Sequence, residues 1–99
     1  SNANGVNSTV SGDYGSNANG TGTIVSGNHG SNANGNYTEA SGDYGAHAGG
    51  KGTSTDKVIA AGDVTFVHQE VDKANTGAVA DNSAILSGKN NSTTAAAIG

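Results

Sequence analysis

The sequence predicts an all-β protein, a parallel β-solenoid or β-roll of about fifteen-residue coils, and three observations carry that prediction. "VNSTVSGDYGSNANG" (6–20), "TGTIVSGNHGSNANG" (21–35) and "NYTEASGDYGAHAGG" (36–50) align without a gap, so the chain counts in units of one coil. The units are rich in Gly, Asn, Ser and Thr, which favour turns over helix, and helical repeats need units of roughly thirty residues or more. Within a unit the apolar residues alternate with polar ones, the period of a strand.

In chain order, each unit supplies a first strand around "NSTVS", a turn at "GDYG", a second strand around "SNAN", and a turn back at Gly. Gly12 and Gly20, with their column mates, are expected where the chain turns with positive φ, since Asp or Asn beside Gly is turn chemistry. On the first strand, Thr9 shares a column with Ile24 and Glu39. A column that accepts Glu faces out, which sends Val10, Val25 and Ala40 inward. On the second strand Ala18, Ala33 and Ala48 face inward, and the flanking Asn columns face out or stack as amide ladders. After residue 50 the count breaks. "VIAAGD" (58–63) resembles "EASGD" of the third unit but comes twenty residues after it, which places about five extra residues in "KGTSTDK". "DVTFVHQEV" alternates and reads as an inserted strand or hairpin arm. "NSAILSG" and "AAAIG" resume the repeat. The expected organisation is one domain, 1–99, with regular repeats over 1–50, an irregular insertion over 51–76 and resumed repeats over 77–99.

Composition bounds the function. The chain has 99 residues, 32% of them hydrophobic, with Phe66 as its one Phe and no Trp, Met or Pro. One Val and one Ala per coil are little to bury for a domain of this size, so the expectation is that several chains share a core, built from Val10, Val25, Ala40, Ala18, Ala33, Ala48, Ile85 and Ile98. The net charge is −4, and Lys51, Lys57, Lys73 and Lys89 are the only strongly basic residues. A nucleic-acid partner would call for a basic stripe that is not there. No apolar run approaches the length of a membrane span, so this segment is not expected to insert in a bilayer, and any signal or anchor lies outside it. With no Cys, disulfides and thiolate metal sites are excluded.

The string "NANGVNSTVSGDYGS" resembles the head repeats of trimeric autotransporter adhesins, the YadA-like or Hep_Hag heads, in a variant with the unit N-x-A-x-G-x-x-S-T-V-x-G. "DNSAILSGKNNSTTAAAIG" is similar to the family's "NSVAIG" strand pattern. The resemblance covers residues 2–50 closely and 74–99 in part, and it fails over 51–73. It implies a left-handed parallel β-roll that forms a homotrimer, exposed on the bacterial cell surface beyond an outer-membrane anchor. It also implies a non-enzymatic function, with host extracellular-matrix proteins, host cell-surface receptors or other copies of the head as partners, and no cofactor.

Several residues stand out as candidate contacts. Tyr14, His29 and Tyr44 share a column and should form a vertical stripe of amphipathic rings, suited to a host glycan or protein or to packing on a neighbouring subunit. Lys51, Lys57, Phe66, His68 and Glu70 lie in the irregular segment, where a departure from the repeat projects and binds, or else locks the trimer. His29, His47 and His68 lack the spacing of a metal site. Asp13, Asn28 and Asp43 beside Gly resemble calcium-binding repeats, but those count in nines and keep their Asp. Asn7, Asn36 and Asn91 head glycosylation sequons, which a repeat rich in Asn, Ser and Thr produces by composition. No catalytic motif is present: there is no G-x-S-x-G, and "GSNANG" has no Lys to make it a phosphate loop. The rival to an adhesin is a structural trimeric fibre segment of a phage or secreted protein. An ice-binding solenoid would need an unbroken Thr ladder, which Ile24 and Glu39 interrupt.

Overall fold

The computed structural model describes residues 2–14, 17–75 and 77–93. Among the described residues ten strands lie in two parallel sheets. The six-stranded sheet runs in the order β1 (Asn2–Val6), β3 (Asn17–Thr21), β5 (Asn32–Asn36), β7 (His47–Lys51), β9 (Phe66–Glu70) and β10 (Ala84–Ile85). The four-stranded sheet stacks β2 (Thr9–Val10), β4 (Ile24–Val25), β6 (Thr38–Ala40) and β8 (Val58–Ala60). The chain alternates between the sheets up to β9, and in the last turn of a solenoid of about five turns Ala78 joins the four-stranded sheet only as an isolated bridge to Ala60. Register follows the repeat: Ala3 pairs with Ala18, Ala18 with Ala33, and Ala33 with Ala48.

The expected facing holds. Val25, Ala40 and Ala60 are sealed inside, whereas Ile24, Glu39 and Ile59 in the adjacent column are half-exposed. Ala18, Ala33 and Ala48 are likewise buried, with Val10 packed against the cluster and Ile85 at its far end. These are the residues expected to build a core between chains; they lie between the two sheets of one chain. The premise that one Val and one Ala cannot close an interior fails because small side chains let the two sheets approach closely, leaving a narrow space that they fill. Ile98 lies outside the described residues.

The facing columns change along the roll. The column Ala18, Ala33, Ala48 continues as Val67 and Ile85, while Val25 on the opposite sheet gives way to Ala40, Ala60 and Ala78. In the later coils the six-stranded sheet carries the larger of the two side chains, Val67 against Ala60 and Ile85 against Ala78.

Two glycine columns are required, for different reasons. Gly20 has φ +111, and a Cβ there would sit 2.1 Å from the carbonyl oxygen of Gly35, so both conformation and space exclude a side chain. The Gly12 column was expected at positive φ as well, but it is not there. Gly27 shows why it is Gly: a Cβ would lie 1.8 Å from the Gly42 oxygen. The left-handed residue comes two places later, at Tyr14, His29, Tyr44, Val64 and Asn82, with φ between 52 and 62.

The irregular segment departs from expectation too. "FVHQE" is not a hairpin arm. It is β9, paired in parallel with β7 through His47–Phe66 and Ala48–Val67, because its in-out alternation matches the strand beneath even though the residue count does not. The extra residues are confined to the connections after Lys51 and after Glu70. Thr53 ties the first of these, where the Thr53 N–H donates to the Asp56 carbonyl (2.8 Å) and the Asp56 N–H to Thr53 Oγ1 (3.0 Å). The buried Gln69 occupies the place of Gly50 and secures the other side of the solenoid, its Nε2 donating to the Asn91 carbonyl (2.9 Å) and its Oε1 accepting from the Asn91 N–H (2.8 Å).

Candidate functional site

The roll has two turn edges. One carries the passages from the four-stranded to the six-stranded sheet, and there the side chain of each Asx residue reaches the coil before it. Asn28 Oδ1 accepts from the Asp13 N–H (2.7 Å), Asp43 Oδ1 from the Asn28 N–H (2.7 Å), Asp63 Oδ1 from the Asp43 N–H (2.8 Å), and Asp81 Oδ1 from the Asp63 N–H (2.8 Å). This ladder holds the coils in register and gives "GD" and "GN" a structural role where a calcium repeat would use them as ligands. Among the described residues no group of three or more His, Cys, Asp or Glu is arranged to hold a metal ion.

Next to the ladder stands the aromatic column. Tyr14 stacks on His29 with centroids 4.9 Å apart and planes within 2°, and His29 on Tyr44 at 4.7 Å and 1°. The left-handed backbone at each position aims the ring off the edge, and a backbone bond in each coil maintains it, from the His29 N–H to the Asp13 carbonyl (3.0 Å) and from the Tyr44 N–H to that of Asn28 (3.0 Å). Tyr14 is 75% and Tyr44 59% exposed. Because the faces are used between neighbours, the stripe offers its surroundings ring edges and two phenol hydroxyls with an imidazole between them. Val64 and Asn82 continue the column without rings.

A second cluster lies on the outer face of the six-stranded sheet. Phe66, 43% exposed, stacks on His47 at 4.9 Å and 17°. Asn32 sits one coil earlier in the same column, its Nδ2 3.2 Å from His47 Nδ1. Half-burial and the nearby charge of His68 hold the His47 imidazole below its ordinary pKa, desolvation being the larger cause. His68 and Glu70 are exposed on the same face of β9, and Glu70 stands in one column between Lys51 of the coil before and Lys89 of the coil after. An open depression of about 530 Å³ runs past Val64, Phe66, Asn82 and Ala84, and a smaller one of about 300 Å³ past Lys51, His68 and Glu70.

The structure thus brings Phe66, His68, Glu70 and Lys51 together and keeps Tyr14, His29 and Tyr44 as a separate stripe. Lys57 stands apart from both, half-buried just before β8. Sequence reasoning missed His47 as the partner of Phe66, and Asp63 and Asp81 as further rungs of the ladder. The shared "GD" after the inserted residues was the signal for Asp63; Asp81 follows Ala80 and leaves no such mark. On the opposite edge Lys89 Nζ lies 2.9 Å from Asp72 Oδ2. Hydrogen bonds from Asn90 and then Lys89 lower the pKa of Asp72, and the Asp72 bond raises that of Lys89.

No family model, characterised protein or solved structure matches this chain.

Proposed function

We propose that the chain is a segment of a bacterial surface adhesin head, a homotrimer of β-rolls exposed beyond the outer membrane, which attaches to host extracellular matrix or cell-surface receptors or to its own kind. The observation that carries the reading is the in-phase repetition of exposed side chains on a stiff parallel scaffold, above all the Tyr14–His29–Tyr44 stripe. A surface that offers one feature at every coil suits multivalent contact with a long or repetitive partner, where many weak contacts add. The resemblance of the fifteen-residue units to trimeric autotransporter heads supports the same reading. The chemistry is non-enzymatic on this proposal: the charged side chains serve turns and exposed columns, and both depressions are open to solvent. Assembly would use the outer surfaces, since the Val and Ala columns are already sealed in one chain.

Light scattering of the purified chain should give three times its 9.5 kDa mass, and the chain should be retained on immobilised extracellular-matrix proteins or cultured cells. Tyr14→Ala with Tyr44→Ala should weaken retention by tenfold or more, on the order expected for aromatic contacts. A trimer that is retained by none of these surfaces would instead favour the structural fibre segment.

A further inference from the structure

Charge is segregated between the two turn edges. Asp13, Asp43, Asp63 and Asp81 line the edge with the aromatic stripe, and that edge carries no lysine. The four lysines lie at the opposite edge, Lys51 at the end of β7 beside Glu70 at the end of β9, Lys57 and Lys73 in the connections with Asp56, and Lys89 bonded to Asp72. The fold does not require the charge of the acidic edge. Asn28 makes the same Oδ1 bond as Asp43, at the same 2.7 Å, so an amide would serve at every rung. Carboxylates stacked one coil apart, about 4.8 Å, repel each other, which offsets the stronger hydrogen bond that a charged acceptor makes to each N–H.

The levels correspond as well. Each of Asp43, Asp63 and Asp81 is followed half a coil later, across the six-stranded sheet, by a lysine-bearing connection: Lys51 and Lys57, then Lys73, then Lys89. We infer that the acidic aromatic edge of one chain docks against the lysine edge of a second copy, parallel and level with it, in a head-to-tail contact that closes as a ring. An interface between two different patches generates a ring when the rotation closes, and complementary charge fixes orientation and register more than it adds affinity. In such a ring the carboxylate column makes the contact, and the Tyr14–His29–Tyr44 rings, which project off the same edge, stay exposed for an outside partner. The inference rests on the trimeric reading above and specifies its interface.

The test is a dilution series followed by sedimentation, on the wild-type chain and on Asp43→Asn/Asp63→Asn/Asp81→Asn, each at low salt and at about 1 M salt, where screening acts within about 3 Å. The amide variant keeps the turn ladder, so its circular dichroism and melting should match the wild type. The expected result is a dissociation midpoint raised tenfold or more by salt in the wild type, raised as much by the amides at low salt, and then insensitive to salt. Lys51→Gln/Lys73→Gln, on the other edge, should reproduce the effect without touching the ladder. A trimer whose midpoint is moved by neither variant overturns the charged-edge interface and leaves the trimeric reading standing. A wild-type monomer throughout overturns both.

Discussion

The regular coils of residues 2–50 and the irregular coils of 51–93 build the same roll by different means. In the first, identity between coils carries the structure: glycine lies over glycine, Asn over Asn, ring over ring, and every connection has the same length. In the second, bulk and side-chain bonds replace identity. Val58, Val67, Val71 and Ile85 fill the interior, Gln69 stands where the first region has Gly, and all the lysines appear. The difference teaches that this architecture constrains facing and close approach, not the residue count.

The sharpest way to break the regular region is at the glycine column. Gly20→Ala places a methyl group 2.1 Å from the Gly35 oxygen at φ +111, so the coils must separate. The expected loss is about 3 kcal/mol or more, read as a large fall in the denaturation midpoint, with loss of the β signal if stability does not suffice. The irregular region tolerates a side chain in this column at Gln69 because the backbone there is not left-handed. A Gly20→Ala chain as stable as the wild type would mean that the two regions do not differ in this way.

Next comes the core. Ala33→Val overfills the narrow interior of the regular coils and should cost about 1–3 kcal/mol. Val67→Ala, one column position used in the opposite sense, should cost about 2 kcal/mol through the space it leaves. Because Val67 and Ala33 occupy the same column, opposite tolerance at the two positions is the signature of the change in bulk along it. Denaturant titration of both variants checks it.

What the sequence made legible follows from the same contrast. The facing of Val25 against Ile24 and of Ala33 between its Asn neighbours could be read because repetition averages out chance: a Glu in one copy decides a whole column. The parallel sheets followed from the period. The path of "FVHQE" could not be read, since a nineteen-residue step from His47 to Phe66 hides the pairing that alternation alone leaves ambiguous. The left-handed position was misplaced onto Gly12 because Gly is the usual occupant of such conformations, whereas here hydrogen bonds to the preceding coil hold His29 and Tyr44 in it. The candidate contacts were legible as a stripe for these three residues. They were not legible as a cluster for Phe66 and His68, whose partners come from the coil beneath.

Val64 sharpens the comparison in the stabilising direction. A β-branched residue at φ 52 is strained, and the same column accepts Asn82 at φ 55 without that penalty. Val64→Asn should therefore stabilise the chain by about 1 kcal/mol. A lowered melting temperature would show instead that the half-exposed Val64 side chain contributes packing that outweighs the backbone.

The smallest expected effect separates the regions by pH. His47 occupies the column position that Asn32 fills one coil earlier, and its pKa is lowered by burial and then by His68. Between the depressed folded value and the ordinary 6.5, the unfolded chain binds more protons than the folded one, so stability rises with pH through that window. Acidifying from about pH 7.5 to 5 should lower the melting temperature slightly, and His47→Asn should remove that part of the slope. Asp72 does not confuse the window, because a lowered carboxylate acts further toward acid, where its contribution is lost as pH falls. A slope unchanged in the variant would remove the electrostatic cost from His47 and from the coil junction at which the two regions meet.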